Sequence, residues 1–154
     1  MSLQNSFLLV CILALTVGCR PRRSAGLADT TNSMFQVGEV WSYHARPGEE
    51  TSTVTVLKLE SSPYLGNVIH VAVNGLRVKS ARVPGGLVTG IGHIALSEEA
   101  TRQSLVSRLQ RVDTLPPFEQ GYAHWLDLLN RGRGDVCTNT LISVVDGLEH
   151  ATQR

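Results

Sequence analysis

Along most of the chain, apolar and polar positions alternate with the period of extended strands; the helical period takes over only toward the C-terminus. Trp41 and Tyr43 alternate against Val40, Ser42 and His44, which predicts a strand beginning at about Glu39. Pro47-Gly48 supplies a turn, with Pro fixing φ at the first central position and Gly admitting positive φ at the second. The β-branched run Thr51–Glu60 makes the next strand, and the two form a predicted antiparallel hairpin. A second hairpin is predicted from Val68–Val73 and Leu76–Ser80 around Asn74-Gly75, a pair favoured in two-residue type I′ turns. Its register puts Val71, Val73, Leu76 and Val78 on one apolar face. His70, Ala72, Arg77 and Lys79 fall on the other, a largely wet one.

The glycine-rich segment Val83–Gly92 reads as a loop or bulged connection into a short strand at His93–Leu96. Ser97 then caps a predicted helix over Glu98–Arg111, whose acids lie in the first turn and whose apolar line is Leu105, Leu109 and Val112. Beyond Pro116-Pro117 a second helix is predicted over Phe118–Arg131, with Tyr122, Trp125, Leu126 and Leu129 at helical spacing and Gly132 as the stop. A brief extended piece, Asp135–Thr138, precedes a final helix over Thr140–Thr152. Strands followed by helices predict an α+β fold: a small antiparallel sheet, two hairpins plus a short strand, with two or three helices on one face.

The run Phe7–Gly18 fits neither period. At about twelve uncharged residues it is shorter than the roughly twenty a membrane-spanning helix needs, and it has the character of a signal-peptide core. Leu15-Thr16-Val17-Gly18-Cys19 resembles the lipobox of bacterial lipoproteins, which implies that Cys19 becomes the acylated first residue of the mature chain and that the membrane is a partner. Thr16 stands where that pattern usually has Leu, Val or Ile. Met1–Ser6 carries no basic residue, while Arg20, Arg22 and Arg23 follow the apolar run, an order that opposes export. The chain therefore divides into a signal peptide at 1–18, a polar tether at 19–34 and a single globular domain at 35–154. The alternatives are a cleaved soluble signal and a cytosolic domain translated from Met34.

A net charge of +1 lacks the electrostatic footprint of a nucleic-acid binder. Of the three cysteines, Cys11 leaves with the signal and Cys19 is the lipid acceptor, so no disulfide is expected and Cys137 reads as a small buried hydrophobe.

The five histidines, at 44, 70, 93, 124 and 150, show none of the HxH, HxxxH or HExxH spacings, so no metal and no cofactor is expected. His70 and His44 would share the wetter sheet face if their strands adjoin. Arg46-Pro47-Gly48-Glu49-Glu50 is the most charged short motif. Its adjacent acids point to opposite faces of a strand, which favours an Arg46 ion pair across the turn over a carboxylate pair. The glycine cluster at 85–92 meets neither GxxxxGK[ST] nor GxGxxG, and no GxSxG elbow occurs. Trp41, Tyr43, Tyr122 and Trp125 fit the core or the lining of a cleft.

The segments Phe35-x-Val37-Gly38-x-x-Trp41-x-Tyr43, Arg46-Pro47-Gly48-Glu49-Glu50-x-Ser52-Thr53 and Ile69-His70-x-x-Val73 resemble an uncharacterised family of small bacterial proteins, over about Phe35–Thr140. The resemblance implies no activity, cofactor or catalytic residue, and members of that family often lack an export segment. The expectation is a non-enzymatic binding or interaction module, lipid-anchored at the cell membrane or outer membrane, for an unknown protein or small ligand. Its candidate contacts are Arg46, Glu49, Glu50 and His70. A cytosolic, immunity-like interaction protein and a small hydrolase using His70 or His93 with a carboxylate are the other readings.

Overall fold

The computed structural model describes residues 26–153. The expected signal peptide, Cys19 and the first part of the tether lie outside the described residues. Six strands form one open antiparallel sheet: β1 (Ala28–Asp29), β2 (Glu39–Tyr43), β3 (Thr53–Ser62), β4 (Gly66–Lys79), β5 (Leu87–Ser97) and β6 (Leu105–Arg111). Their order is β5-β4-β3-β2-β6, with β1 paired to β3 beyond the end of β2. Among the described residues, three helices complete the α+β fold: α1 (Glu98–Ser104), α2 (Glu119–Asn130) and α3 (Leu141–Thr152).

The turn at 46–49 forms as its residues dictate. Glu49 N donates to Arg46 O at 3.0 Å and Gly48 has φ +85°, a type II geometry with Pro47 at the first central position. Ser97 caps α1 as expected, its hydroxyl accepting from Ala100 N at 3.1 Å.

Asn74-Gly75 does not turn. β4 runs straight through it, and the hairpin bend is instead at 62–66, between β3 and β4. The pair forms a bulge in which Gly75 takes φ +83°, with Ser52 Cα 3.1 Å from where a Cβ would stand. A bulge shifts the alternation by one residue. The apolar face therefore still runs Val71, Val73, Leu76, Val78, all fully buried or nearly so. A turn and a bulge give the same face pattern here, so periodicity did not separate them.

The predicted helix over Glu98–Arg111 is another correction. It ends at Ser104, and Leu105–Arg111 becomes β6, which pairs with the free edge of β2. Leu105 lies in the core, yet Leu109 is 54% exposed, so the two do not share one buried helical face. Pairing an otherwise open strand edge overrides a weak local helix preference. The strand expected at His93–Leu96 is also longer, reaching back to Leu87.

The larger core lies on the sheet face carrying Val54, Val56, Ile69, Val71 and Val73, closed by Leu105, Leu141 and Val145. Two helices, α1 and α3, share that face; Leu141 N donates to Ser104 Oγ at 2.9 Å between them. The opposite face carries a smaller cluster of Val68, Ala95 and Val136 with Leu27, Leu65 and Trp125, beneath α2. Residues 26–34, read as part of a free tether, lie on the body. Leu27 joins that smaller cluster, Thr30 N donates to Leu59 O, and Ser33 Oγ and Met34 N donate to Glu98.

Candidate functional site

A second bulge builds the site. Between Val56 and Lys58 the pairing of β3 with β4 slips at Leu57. Without it Lys58 and Glu60 would follow Val54 and Val56 into the larger core. With it Leu59 takes that place, and Lys58 and Glu60 turn to the face of His70. On β5, plain alternation from Ala95, the direct partner of His70, sets His93 on the same face, diagonal to His70; the register slip between Val71 and Val73 comes only beyond it, toward Ile91.

The three side chains form a line. Glu60 Oε2 lies 3.0 Å from His70 Nε2, and His70 Nδ1 lies 2.9 Å from His93 Nε2. Glu60 Oε1 accepts from Tyr122 OH at 2.9 Å and from Lys58 Nζ at 3.1 Å, and Lys58 also pairs with Asp29 of β1. His70 is 0% exposed and Glu60 4%. The aromatic lid comes from α2: Trp125 and Tyr122 stand edge-on to the His70 ring at 4.9 and 5.3 Å, while the His93 ring meets it edge to edge and nearly coplanar, with centroids 5.1 Å apart. Gly121 lets α2 come this close, because a Cβ there would lie 2.8 Å from His93 Cβ.

Donor counting fixes the tautomers. Lysine has donors only and the tyrosine hydroxyl donates, so Glu60 is the acceptor in this group and His70 Nε2 carries its hydrogen. Burial, aided by the neighbouring His93, pushes the pKa of His70 down to about 4 against the opposing pull of Glu60. His70 is thus neutral and its Nδ1 is an acceptor. His93 Nε2 must then be the donor, and its Nδ1 carries a bare lone pair. His93 is also held below the usual histidine range by burial. Burial first and then Glu60 raise Tyr122, keeping it the donor. For Lys58, burial works against the charge but is outweighed by Asp29 and Glu60.

His93 is half-buried and walls a recess of about 380 Å³, bounded by Ile91 and Gly92 on one side and Pro117–Gly121 on the other. Its bare Nδ1 lies on the side of Gly121, one of those lining residues. A larger and more open recess, about 670 Å³, lies between Asn32–Met34 and the start of α1; its acid, Glu98, is already occupied by Ser33, Met34 and Asn67.

Of the sequence candidates, the structure brings into this site His70 and also His93, the alternative histidine of the hydrolase reading. His44 is exposed just beyond β2, and His93 stands beside His70 in its place. Arg46 and Glu49 do pair across their turn, at 2.6 and 3.0 Å, and Arg46 reaches on to Glu149 of α3. Glu49 is 2% exposed and also accepts from Arg77 N at 2.6 Å. The Arg46 guanidinium is committed to Glu49 and Glu149, which raise its pKa, and Arg46 in turn holds Glu49 below the usual carboxylate range. Glu50 is exposed and bonds Gly48 N of its own turn. This group ties the turn to α3.

Sequence reasoning missed Glu60 and left Tyr122 and Trp125 between core and cleft lining. One signal was present: a lone His70 within the run Val68-Ile69-His70-Val71-Ala72-Val73. A single polar residue inside a strand that is apolar on both faces needs a buried partner. Among the described residues no group of three His, Cys, Asp or Glu is arranged to hold a metal ion, and no helix is long and apolar enough to cross a membrane. The chain matches no protein-family model, no curated protein and no solved structure.

Proposed function

We propose that the protein is a ligand-binding module carried at the bacterial cell envelope by lipid on Cys19, with its ligand in the recess walled by His93. The observation that carries the binding site is the Glu60–His70–His93 line. It is a buried chain of hydrogen bonds that ends on a half-buried ring beside an open recess. A buried network serving packing alone has no need to end at such a surface.

The anchoring rests on the lipobox-like segment and on its distance from the body. Residues 19 to 26 span at most about 25 Å when extended, so a lipidated Cys19 would keep the domain against the bilayer. Arg20, Arg22 and Arg23 would then meet anionic headgroups. A chain started at Met34 is the weaker reading, because it discards β1 and the Asp29–Lys58 pair behind the site. Cell fractionation with intact-mass measurement tests the anchor: membrane recovery and an acylated Cys19 support it, and a soluble, unmodified chain overturns it. For the site, a fragment screen by NMR should shift the backbone amide signals of Gly92 and Gly121 in the wild type, and the same fragments should leave those amides unmoved in His93→Ala.

A second reading, a small hydrolase, is favoured by the same line, since a carboxylate–His–His chain suits a general base. No Ser, Thr or Cys lines the recess, so His93 would have to activate water. Hydrolysis of a p-nitrophenyl ester that disappears in His93→Ala would move the assignment to this reading.

A further inference from the structure

We propose that the recess beside His93 takes an organic ammonium ion, a protonated amine on an apolar body. The inference rests on the reading of that recess as the ligand site and names the chemistry it selects. Of the polar side chains at its walls, two offer acceptors only, and the third, Gln120, offers both an acceptor and a donor. His93 offers a bare Nδ1, because its Nε2 hydrogen is committed to His70. Glu119 adds an exposed carboxylate at the start of α2.

A helix start usually attracts anions through its free N–H groups. Here the Glu119 carboxylate stands at that start and accepts from Phe118 N at 2.9 Å, so an incoming anion would meet its negative charge. No lysine or arginine lines the recess. An anion would face a carboxylate and a lone pair, and a purely apolar molecule would bury His93 Nδ1 without a donor. An ammonium group supplies the donors and the positive charge, while Ile91, Pro117 and Phe118 receive its apolar part.

Three matched probes test this on the full chain with ¹⁵N-labelled histidine: benzylamine, benzyl alcohol and benzoate. Benzylamine should shift the His93 ring signals saturably at about millimolar concentration, and Glu119→Gln, at an exposed position, should weaken it about tenfold. Stronger shifts from benzoate or benzyl alcohol, or an unchanged Glu119→Gln, would overturn the ammonium assignment and leave the recess as a ligand site. If no probe and no member of a wider fragment set moves His93, the recess reading falls as well.

Discussion

His70 Nδ1 lies 2.9 Å from His93 Nε2, and the two rings meet edge to edge, nearly coplanar, with centroids 5.1 Å apart. Both nitrogens cannot be protonated at that separation, so the pair shares one hydrogen and the protonation of either ring opposes that of the other. With Glu60 behind it, the pair is a directional chain that ends at the recess.

The first consequence is a pH dependence of stability. Between pH 6.5 and about 4 the unfolded chain binds a proton at His70 and the native chain does not, so stability rises with pH across that window. The contribution is fully present above pH 6.5 and is lost on acidification toward pH 4, amounting to something of order 3 kcal/mol. Urea unfolding at pH 7 and pH 5 should show a lower midpoint at pH 5 with an unchanged slope. Equal midpoints would contradict a buried neutral His70.

Glu60 is the shared acceptor of Tyr122, Lys58 and His70. Glu60→Gln puts an amide donor against one of these donors and should cost about 2 kcal/mol, while Tyr122→Phe should cost about 1 kcal/mol. The double variant should be less destabilised than the sum, because both changes act on one network. Strict additivity in a denaturation cycle would show that the two are not coupled.

The turn at 46–49 has a structural role. Arg46→Ala leaves the buried Glu49 carboxylate with only Arg77 N and should destabilise by about 3 kcal/mol. Glu50→Ala, on the exposed side of the same turn, should leave the melting curve unchanged. Equal effects of the two would remove the distinction.

Removing residues 1–33 strips β1, the Asp29–Lys58 pair and the Ser33–Glu98 bond. The shortened protein should melt at least about 5 °C lower. A melting temperature equal to that of the full chain would favour a domain that begins at Met34.

The strand faces were legible because alternation survives a bulge. Val71, Val73, Leu76 and Val78 were grouped correctly although Asn74-Gly75 bulges where a turn was expected. The extent of α1 was not legible, since Leu105 and Leu109 suit helical spacing and only the open edge of β2 decides for a strand. The site was hidden for a related reason. The slip at Leu57 moves Glu60 to the face of His70, and nothing local to Leu57 announces it. His93 and Tyr122 reach that face only through the packing of β5 and α2.

The central claim is that Glu60 imposes one tautomer on both rings and leaves His93 Nδ1 bare at the recess. Long-range ¹H–¹⁵N NMR of histidine-labelled protein at neutral pH reads this directly. The account predicts His70 and His93 each protonated at Nε2 alone. A His93 ring carrying its hydrogen on Nδ1, or on both nitrogens, would contradict it.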